Sequence, residues 1–227
     1  DGIRARSPSR GLGDVYKRQD EYGSLPLPPY LNREPNEEDY ARYQTVYANE
    51  ENNRSTAAPT AGLHFEDSLI NEIKDKGINI ASITLDIGLG TFKPITVNDI
   101  HKHKMHSEKI YLSTETSEMI NNTIQSKSKI ISVGTTSLRC LEAVYGKFGE
   151  IKPFEGETDI FIYPGFKFNV VDTLITNFHL PKTTLLLLVS AFAGKDNLKK
   201  AYKHAIKQKY MFFSYGDAML LNRESNS

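Results

Sequence analysis

The sequence contains a single cysteine, Cys140, so an internal disulfide is excluded, and such cysteine usage is typical of a reducing compartment. Long apolar runs are missing too. The longest, Leu185 to Ala193, is interrupted by Ser190 and is far shorter than the ~20 residues that span a bilayer. No secretory signal pattern is recognised, so we expect a cytoplasmic protein without a membrane segment.

The chain also lacks an excess of charge of either sign, with 28 basic and 28 acidic residues. Residues 1–19 hold five of the basic and two of the acidic residues and show no apolar periodicity. We predict that they are non-native, adaptor-derived sequence, the alternative being a native basic tail. The remaining 23 basic and 26 acidic residues supply no general attraction for nucleic acid, so a nucleic-acid binder would need a local basic patch.

The 227 residues are 39% hydrophobic and 25% charged, as in a globular protein. Strand-like and helix-like segments alternate, which predicts an α/β fold with a mixed sheet and helices packed on its faces. The predicted strands are 78–87, 108–112, 129–133, 158–163 and 170–175, and the predicted helices are 36–50, 66–76, 114–127, 138–146, 183–193 and 197–209.

Asn36 with Asp39 is a predicted N-cap pair, Ser113 is a second predicted N-cap, and Gly77 and Gly146 are predicted helix ends. Tyr40, Tyr43 and Tyr47 are predicted on one face of the first helix, Leu69 is predicted to point inward, and the helix 183–193, which is apolar nearly all round, is predicted to be buried.

Three of the predicted strands end in polar turns that contain glycine or proline, namely "GTTS" (134–137), "YPGF" (163–166) and "TNFHLP" (176–181). Ligands of open α/β sheets bind at the carboxyl ends of strands. We therefore expect these turns to form one site, together with the uncharged loop "PTAGLHF" (59–65) and with "GLGTF" (88–92).

Long stretches of the chain resemble the S-adenosylmethionine:tRNA ribosyltransferase-isomerases of queuosine biosynthesis. The matching stretches occur in the family's order and are "YQTVYA" (43–48), "AAPTAGLHF" (57–65), "GLGTFKP" (88–94), "HKMHSE" (103–108), "VGTTSLR" (133–139), "TDIFIYPGFKF" (158–168), "ITNFHLPKTTLLLLVSAFAG" (175–194) and "KYMFFSYGDAML" (209–220).

The resemblance implies a reaction in which S-adenosylmethionine is a consumed ribosyl donor. Its ribosyl group is transferred to 7-aminomethyl-7-deazaguanine at the wobble position of tRNA and isomerised to give epoxyqueuosine, while adenine and methionine leave. No metal is implied. Family members are longer at the N-terminus and carry a small inserted β-rich domain, so residues 20–227 resemble the C-terminal portion of the large catalytic domain.

Such a reaction needs a base for a proton beside the sulfonium and a hydrogen-bond donor for the departing adenine. The candidate catalytic residues in the matched motifs are His64, His106, His179 and Glu108. As alternating residues on an extended segment, His106 and Glu108 are predicted to face the same side. A metal site including His101 and His103 is the less favoured alternative, because His106 would fall on the opposite strand face.

Other polar and small residues of the motifs are candidates for binding the substrate. Glycines allow close approach of the backbone, a strand-to-helix turn with an arginine suits a carboxylate or phosphate, and aromatic rings suit a base. The candidates are Pro59, Thr60, Gly62, Gly88, Gly90, Thr91, Thr135, Ser137, Arg139, Asp159, Tyr163, Gly165, Asn177 and Asp217.

One face of the last predicted helix carries Lys200, Lys203 and Lys207, a candidate contact for the tRNA backbone. The alternative is an ordinary solvated face. For the whole chain, the alternative to a monomeric enzyme is a truncated, inert fragment that only binds tRNA. A methyltransferase ranks last, because the usual glycine-rich loop followed by an acidic strand end is missing.

Overall fold

The computed structural model describes residues 25, 27, 31–48, 55, 58–86 and 99–224. The chain divides into two units, Asp1–Ala41 and Arg42–Ser227. The helices of the described part are α1 (Glu37–Arg42), α2 (Asp67–Asp75), α3 (Thr114–Gln125), α4 (Thr135–Phe148), α5 (Thr184–Ala193) and α6 (Lys195–Lys207), with 3₁₀ turns at Thr60–His64 and Ile100–Lys102. The strands are β1 (Thr84–Asp86), β2 (Glu108–Leu112), β3 (Ile131–Val133), β4 (Phe154–Thr158), β5 (Thr173–Asn177) and β6 (Ala218–Asn222).

Helix α1 begins at the predicted cap but is much shorter than predicted. The Asn36 side chain accepts the Asp39 backbone N–H at 3.0 Å, and the Asp39 side chain accepts the Asn36 backbone N–H at 2.9 Å, as in a capping box. The helix then ends at Arg42. Four of the five residues that follow, Tyr43 to Tyr47, are aromatic or β-branched and form helices less readily, so the predicted tyrosine stripe does not lie on one helix.

The first sheet is antiparallel, with strand order β1-β2-β4. Strand β2 coincides with the predicted 108–112 and alternates buried and exposed side chains. Its pairing with β4 runs from Glu108 opposite Thr158 to Leu112 opposite Phe154. The predicted strand 158–163 is therefore wrong: residues 159–163 belong to no strand, although Ile162 is buried.

The second sheet has the order β3-β5-β6, with β5 parallel to β3 and antiparallel to β6. Helices α4 and α5 contact this sheet. The predicted α/β class with a mixed sheet is confirmed, but the described strands form two sheets. The "GTTS" and "TNFHLP" turns meet at one edge of the mixed sheet, whereas "YPGF" does not follow a strand.

Strand β5 begins three residues later than predicted because a buried carboxylate takes the preceding backbone N–H groups. The Glu142 side chain, 1% exposed, accepts from Asn169 at 2.9 Å and from Val170 and Val171 at 3.0 Å each. Buried N–H groups need partners, and here a helix side chain replaces a neighbouring strand. Glu142 thereby fixes the segment that precedes β5 to helix α4.

Local sequence signals predict the start of helix α3 correctly but not the end of helix α4. Ser113 Oγ accepts the Thr116 N–H at 3.1 Å, so α3 begins where its cap predicts. Helix α4 passes through Gly146, its predicted end, and is closed by Gly149 at φ +74°. Burial inside this helix raises the pKa of the Cys140 thiol to about 12, which keeps it protonated and unreactive.

Helix α5 is buried along much of its surface, as predicted, with Leu188, Val189 and Phe192 in the core. Helix α2 ends before Gly77, at φ +74°, again as predicted. Its Leu69 is exposed, however, so the prediction that this side chain points inward is wrong. None of the described helices is long and apolar enough to cross a membrane.

Candidate active site

The uncharged loop before His64 folds into the 3₁₀ helix Thr60–His64, which begins after Pro59. Its Gly62 is buried, and a Cβ at that position would strike the Tyr47 side chain. Tyr47 thus fills the space that the sequence-based prediction gave to a ligand. His64, at the end of the turn, is exposed.

The amide of Asn177, at the carboxyl end of β5, joins this loop to two other matched stretches. Asn177 Oδ1 accepts the Thr60 hydroxyl at 3.0 Å, and Nδ2 donates to the Gly216 carbonyl at 3.3 Å. The same Nδ2 lies 3.4 Å from His64 Nε2. We call Thr60, His64, Asn177 and Gly216 the amide cluster. Its Thr60–Asn177 hydrogen bond joins residues that are 117 positions apart in the chain.

A tyrosine pair joins one further matched stretch, 43–48, to the stretch that contains Gly216. The rings of Tyr43 and Tyr215 lie 5.3 Å apart at 47°, and Tyr43 is 3% exposed. Tyr215 precedes Gly216, so the pair holds the turn that supplies a carbonyl to the amide cluster.

His179 follows β5 by two residues and is held from both sides. Its Nε2 lies 2.9 Å from the Thr176 hydroxyl. The Tyr202 hydroxyl accepts the His179 N–H at 2.8 Å and donates to its carbonyl at 3.1 Å. Burial lowers the pKa of His179 to about 4, because desolvation disfavours the imidazolium. The ring is therefore neutral at pH 7, and the lowered pKa also makes it a weaker base than an ordinary histidine.

The protein should become less stable as the pH is lowered from about 6.5 to about 4, because unfolded His179 binds a proton in this range before folded His179 does. An unfolded histidine binds a proton near pH 6.5 and folded His179 only near pH 4, so the free energy of unfolding should decrease by about 3 kcal/mol between those values. Urea unfolding at several pH values would measure this. His179→Gln should remove that part of the decrease, and His204→Gln, on an exposed residue, should leave it. An unchanged pH dependence in His179→Gln would contradict the assignment.

The "GTTS" turn lies at the same sheet edge as Asn177, because β3 and β5 are parallel neighbours. The Gly134 N–H donates to the Ile175 carbonyl at 2.8 Å, and α4 begins at Thr135. Thr135 is buried and Ser137 half-buried. The first backbone N–H groups of α4 are thus near the end of β5, which is the arrangement predicted for an anion.

Arg139, predicted to bind an anion, forms a buried ion pair. Its Nη1 lies 2.7 Å from Glu108 Oε1, and both side chains are 3% exposed. Its Nε donates to the Ile160 carbonyl at 3.3 Å. Part of the guanidinium fork is therefore committed to the protein, and the pair links α4 to the start of β2.

The prediction that His106 and Glu108 face the same side is wrong. Glu108 is buried against Arg139, whereas His106 is exposed. Strand pairing begins only at Glu108, so the alternation of a strand does not extend back to His106.

Three further predicted residues, Asp159, Tyr163 and Gly165, belong to the segment after β4. Asp159 and Gly165 are exposed, and Gly165 has φ +102°. Tyr163 is half-buried, with its ring 5.4 Å from that of His101 and 5.2 Å from that of Phe161. Tyr163 and Phe161 belong to the segment after β4, whereas His101 lies in the 3₁₀ turn Ile100–Lys102.

Asp217 has a local partner, since its Oδ2 accepts the Met211 N–H at 2.7 Å and closes a turn. Gly88, Gly90 and Thr91 lie outside the described residues. Lys200, Lys203 and Lys207 are all exposed on α6.

Several residues around the site were missed in the sequence. Tyr43, Tyr47 and Tyr215 lie within matched stretches, so the motifs could have indicated them. Tyr202 lies in none, and only the fold brings its hydroxyl to His179. Within the part of the chain that the structure describes, no group of three or more His, Cys, Asp or Glu residues could hold a metal ion.

Comparison with known proteins gives consistent matches along the chain. A family model described as "Queuosine biosynthesis protein" matches residues 3–221. An S-adenosylmethionine:tRNA ribosyltransferase-isomerase of Francisella philomiragia is 56% identical over 212 residues, and one of Francisella tularensis subsp. novicida is 55% identical. Each match covers 93% of this chain but 62% of the relative, so the chain spans less than two thirds of their length.

A solved structure is similar as well. It is the crystal structure of an S-adenosylmethionine tRNA ribosyltransferase from Thermotoga maritima, with a TM-score of 0.59 and 44% sequence identity. The similarity covers 70% of this chain and 50% of that one.

Proposed function

The chain belongs to the queuosine biosynthesis protein family, and from this premise we propose that it carries the C-terminal catalytic part of an S-adenosylmethionine:tRNA ribosyltransferase-isomerase. The proposed reaction transfers and isomerises the ribosyl group of S-adenosylmethionine onto 7-aminomethyl-7-deazaguanine at the tRNA wobble position. Epoxyqueuosine-tRNA forms, and adenine and methionine leave. We further propose a cytoplasmic monomer that needs no metal.

The observation that carries the proposal is the amide cluster. Three matched stretches that are distant in the chain meet at the carboxyl end of β5, where ligands of α/β sheets bind. An exposed imidazole, His64, stands at this junction, and the α4 N-terminus adjoins the same sheet edge. An exposed histidine beside a buried, hydrogen-bonded scaffold suits contact with a nucleoside.

The surroundings of each candidate residue decide which chemical role we propose for it. His179 is neutral at pH 7, and its lowered pKa makes it a weaker base than an ordinary histidine. Glu108 is held in an ion pair, which favours orienting Arg139 over taking a proton. His106 is exposed before β2. We propose that His64 and His179 act on the nucleoside and that the α4 N-terminus binds the methionine carboxylate.

The test is adenine release. This chain and the full-length F. philomiragia relative are incubated in parallel with S-adenosylmethionine and tRNA that carries 7-aminomethyl-7-deazaguanine, and adenine is measured by chromatography. Adenine together with modified tRNA from both proteins is the expected result. Methylated tRNA instead of adenine would overturn the proposal.

A truncated fragment that only binds tRNA is the second candidate, favoured by the 62% coverage of the relatives. In the same assay it predicts adenine from the full-length relative alone, with retained tRNA binding by this chain.

The lysine face of α6 should contribute to tRNA affinity. Replacing Lys200, Lys203 and Lys207 with glutamine removes three exposed positive charges from one face. We expect about tenfold weaker tRNA binding at moderate salt and a slope of log K against log salt that is shallower by about 2. Fluorescence anisotropy at several salt concentrations would measure both.

A matched control keeps the same change in charge. Glutamine at Lys74, Lys127 and Lys129, which are all exposed and lie outside α6, should leave most of the affinity and slope. Equal behaviour of the two triple variants would remove α6 from the interface.

A further inference from the structure

The Asn177 side chain has one orientation that satisfies its neighbours. The Gly216 carbonyl can only accept a hydrogen bond, so the atom 3.3 Å from it must be the amide nitrogen. The opposite atom is then the oxygen, which accepts the Thr60 hydroxyl at 3.0 Å. A flipped amide would place its oxygen against the Gly216 carbonyl oxygen. Asn177 is also 3% exposed, so water does not replace these partners.

The orientation of the Asn177 amide determines which of its atoms faces the His64 ring. The Asn177 nitrogen has two hydrogens, of which one goes to Gly216 and the other is directed to His64 Nε2 at 3.4 Å. A nitrogen facing a donor must itself be an acceptor, so Nε2 carries no hydrogen. In a neutral imidazole the hydrogen is then on Nδ1. Among the described residues, no other group forms a hydrogen bond with the His64 ring.

We propose that Asn177 is a positioning residue that holds His64 as the neutral Nδ1–H tautomer, so that the ring presents a hydrogen-bond donor to the departing adenine. The assignment of adenine rests on the proposed function; the tautomer does not. Nε2 is already engaged with Asn177, and imidazolium would set an N–H against the Asn177 N–H. His64 therefore acts as a neutral donor to the negative charge that develops on the leaving base.

The assignment changes the expected role of both residues. Asn177, predicted to bind substrate, has both ends of its amide occupied by the protein. His64, first among the candidate bases in the sequence, offers N–H in place of a lone pair. Removal of the proton beside the sulfonium then belongs to a group other than His64.

The tautomer can be measured directly by long-range ¹H–¹⁵N correlation NMR on the uniformly labelled chain above pH 7. The chain has six histidines, and loss of one signal set in His64→Gln identifies His64. We expect Nδ1 protonated and Nε2 unprotonated. Histidine without a directing partner in water favours the opposite tautomer, and the exposed His106 serves as the internal control for it. A His64 ring with Nε2–H in the wild-type chain would overturn the proposal.

The Asn177→Asp variant tests whether Asn177 sets the His64 tautomer, because aspartate has almost the same shape as asparagine. The carboxylate offers only acceptors, so Nε2 of His64 should become protonated in this variant. A folded Asn177→Asp chain with unchanged His64 signals would show that Asn177 does not set the tautomer. If the variant does not fold, the wild-type spectrum still decides which nitrogen of His64 is protonated.

A kinetic measurement separates positioning from binding. In the full-length relative, aspartate at the matching position should lower kcat for adenine release at least tenfold, with KM for S-adenosylmethionine within about twofold. A raised KM with unchanged kcat would mean direct substrate contact and would overturn the positioning role. Absence of adenine release even from the unmodified relative would refute the proposed function, while the NMR result would stand.

Discussion

Replacing Arg139 with methionine is expected to lower the free energy of unfolding by about 3–5 kcal/mol, because it removes the cation that faces a buried carboxylate. Arg139 and Glu108 are each 3% exposed and 2.7 Å apart, so water cannot take over from the missing partner. Urea unfolding at pH 7, followed by circular dichroism, would measure the loss.

A second ion pair in the same chain provides the control. Arg223 and Asp172 lie 3.0 Å apart with side chains 33% and 31% exposed, so Arg223→Met should cost clearly less than Arg139→Met. The double variant Arg139→Met with Glu108→Leu should recover much of the stability, because it removes both charges. Equal losses in the two single variants would show that burial does not determine the strength of the Arg139–Glu108 pair.

Replacing the matching His64 with alanine in the full-length relative is expected to reduce adenine release by about 100-fold or more, the usual cost of losing one donor to a developing negative charge. His64 is exposed, so the fold should be retained, with an unchanged unfolding midpoint. Glutamine at this position can donate through its amide but cannot serve as a base. We therefore expect it to retain about tenfold more activity than alanine.

The comparison between alanine and glutamine distinguishes the roles. If both variants are equally inactive, His64 acts as a base and not as a donor. Glu66→Ala, an exposed change two residues away, should leave adenine release unchanged. Wild-type turnover in the alanine variant would show that the loop serves packing alone, with His106 and His179 the next residues to test.

Local signals in the sequence were sufficient for the elements that depend on a few neighbouring residues. The Asn36–Asp39 box, the Ser113 cap and strand β2 lie where the sequence predicts them. The motif order also identified the family, which the comparisons then showed. These features are determined by hydrogen bonds and periodicity within one or two turns, or by long stretches of residue identity.

The errors in the fold have a common physical cause. The segment 158–163 alternates apolar residues like a strand, but β2 pairs with the residues before it. Residues 170–171 have high strand propensity, but their N–H groups bond to Glu142 on a helix. Backbone partners supplied from elsewhere in the chain override local preference.

By itself the sequence determined the family and the α/β class, and it supplied a set of candidate polar residues for the chemistry. Only the tertiary structure decided which of these residues meet. It paired Arg139 with Glu108 and placed Asn177 between Thr60 and His64, contacts across 117 and 113 positions of the chain. The orientation of the buried Asn177 amide is decided by the Gly216 carbonyl, which can only accept a hydrogen bond. No pattern of neighbouring residues in the sequence contains that information.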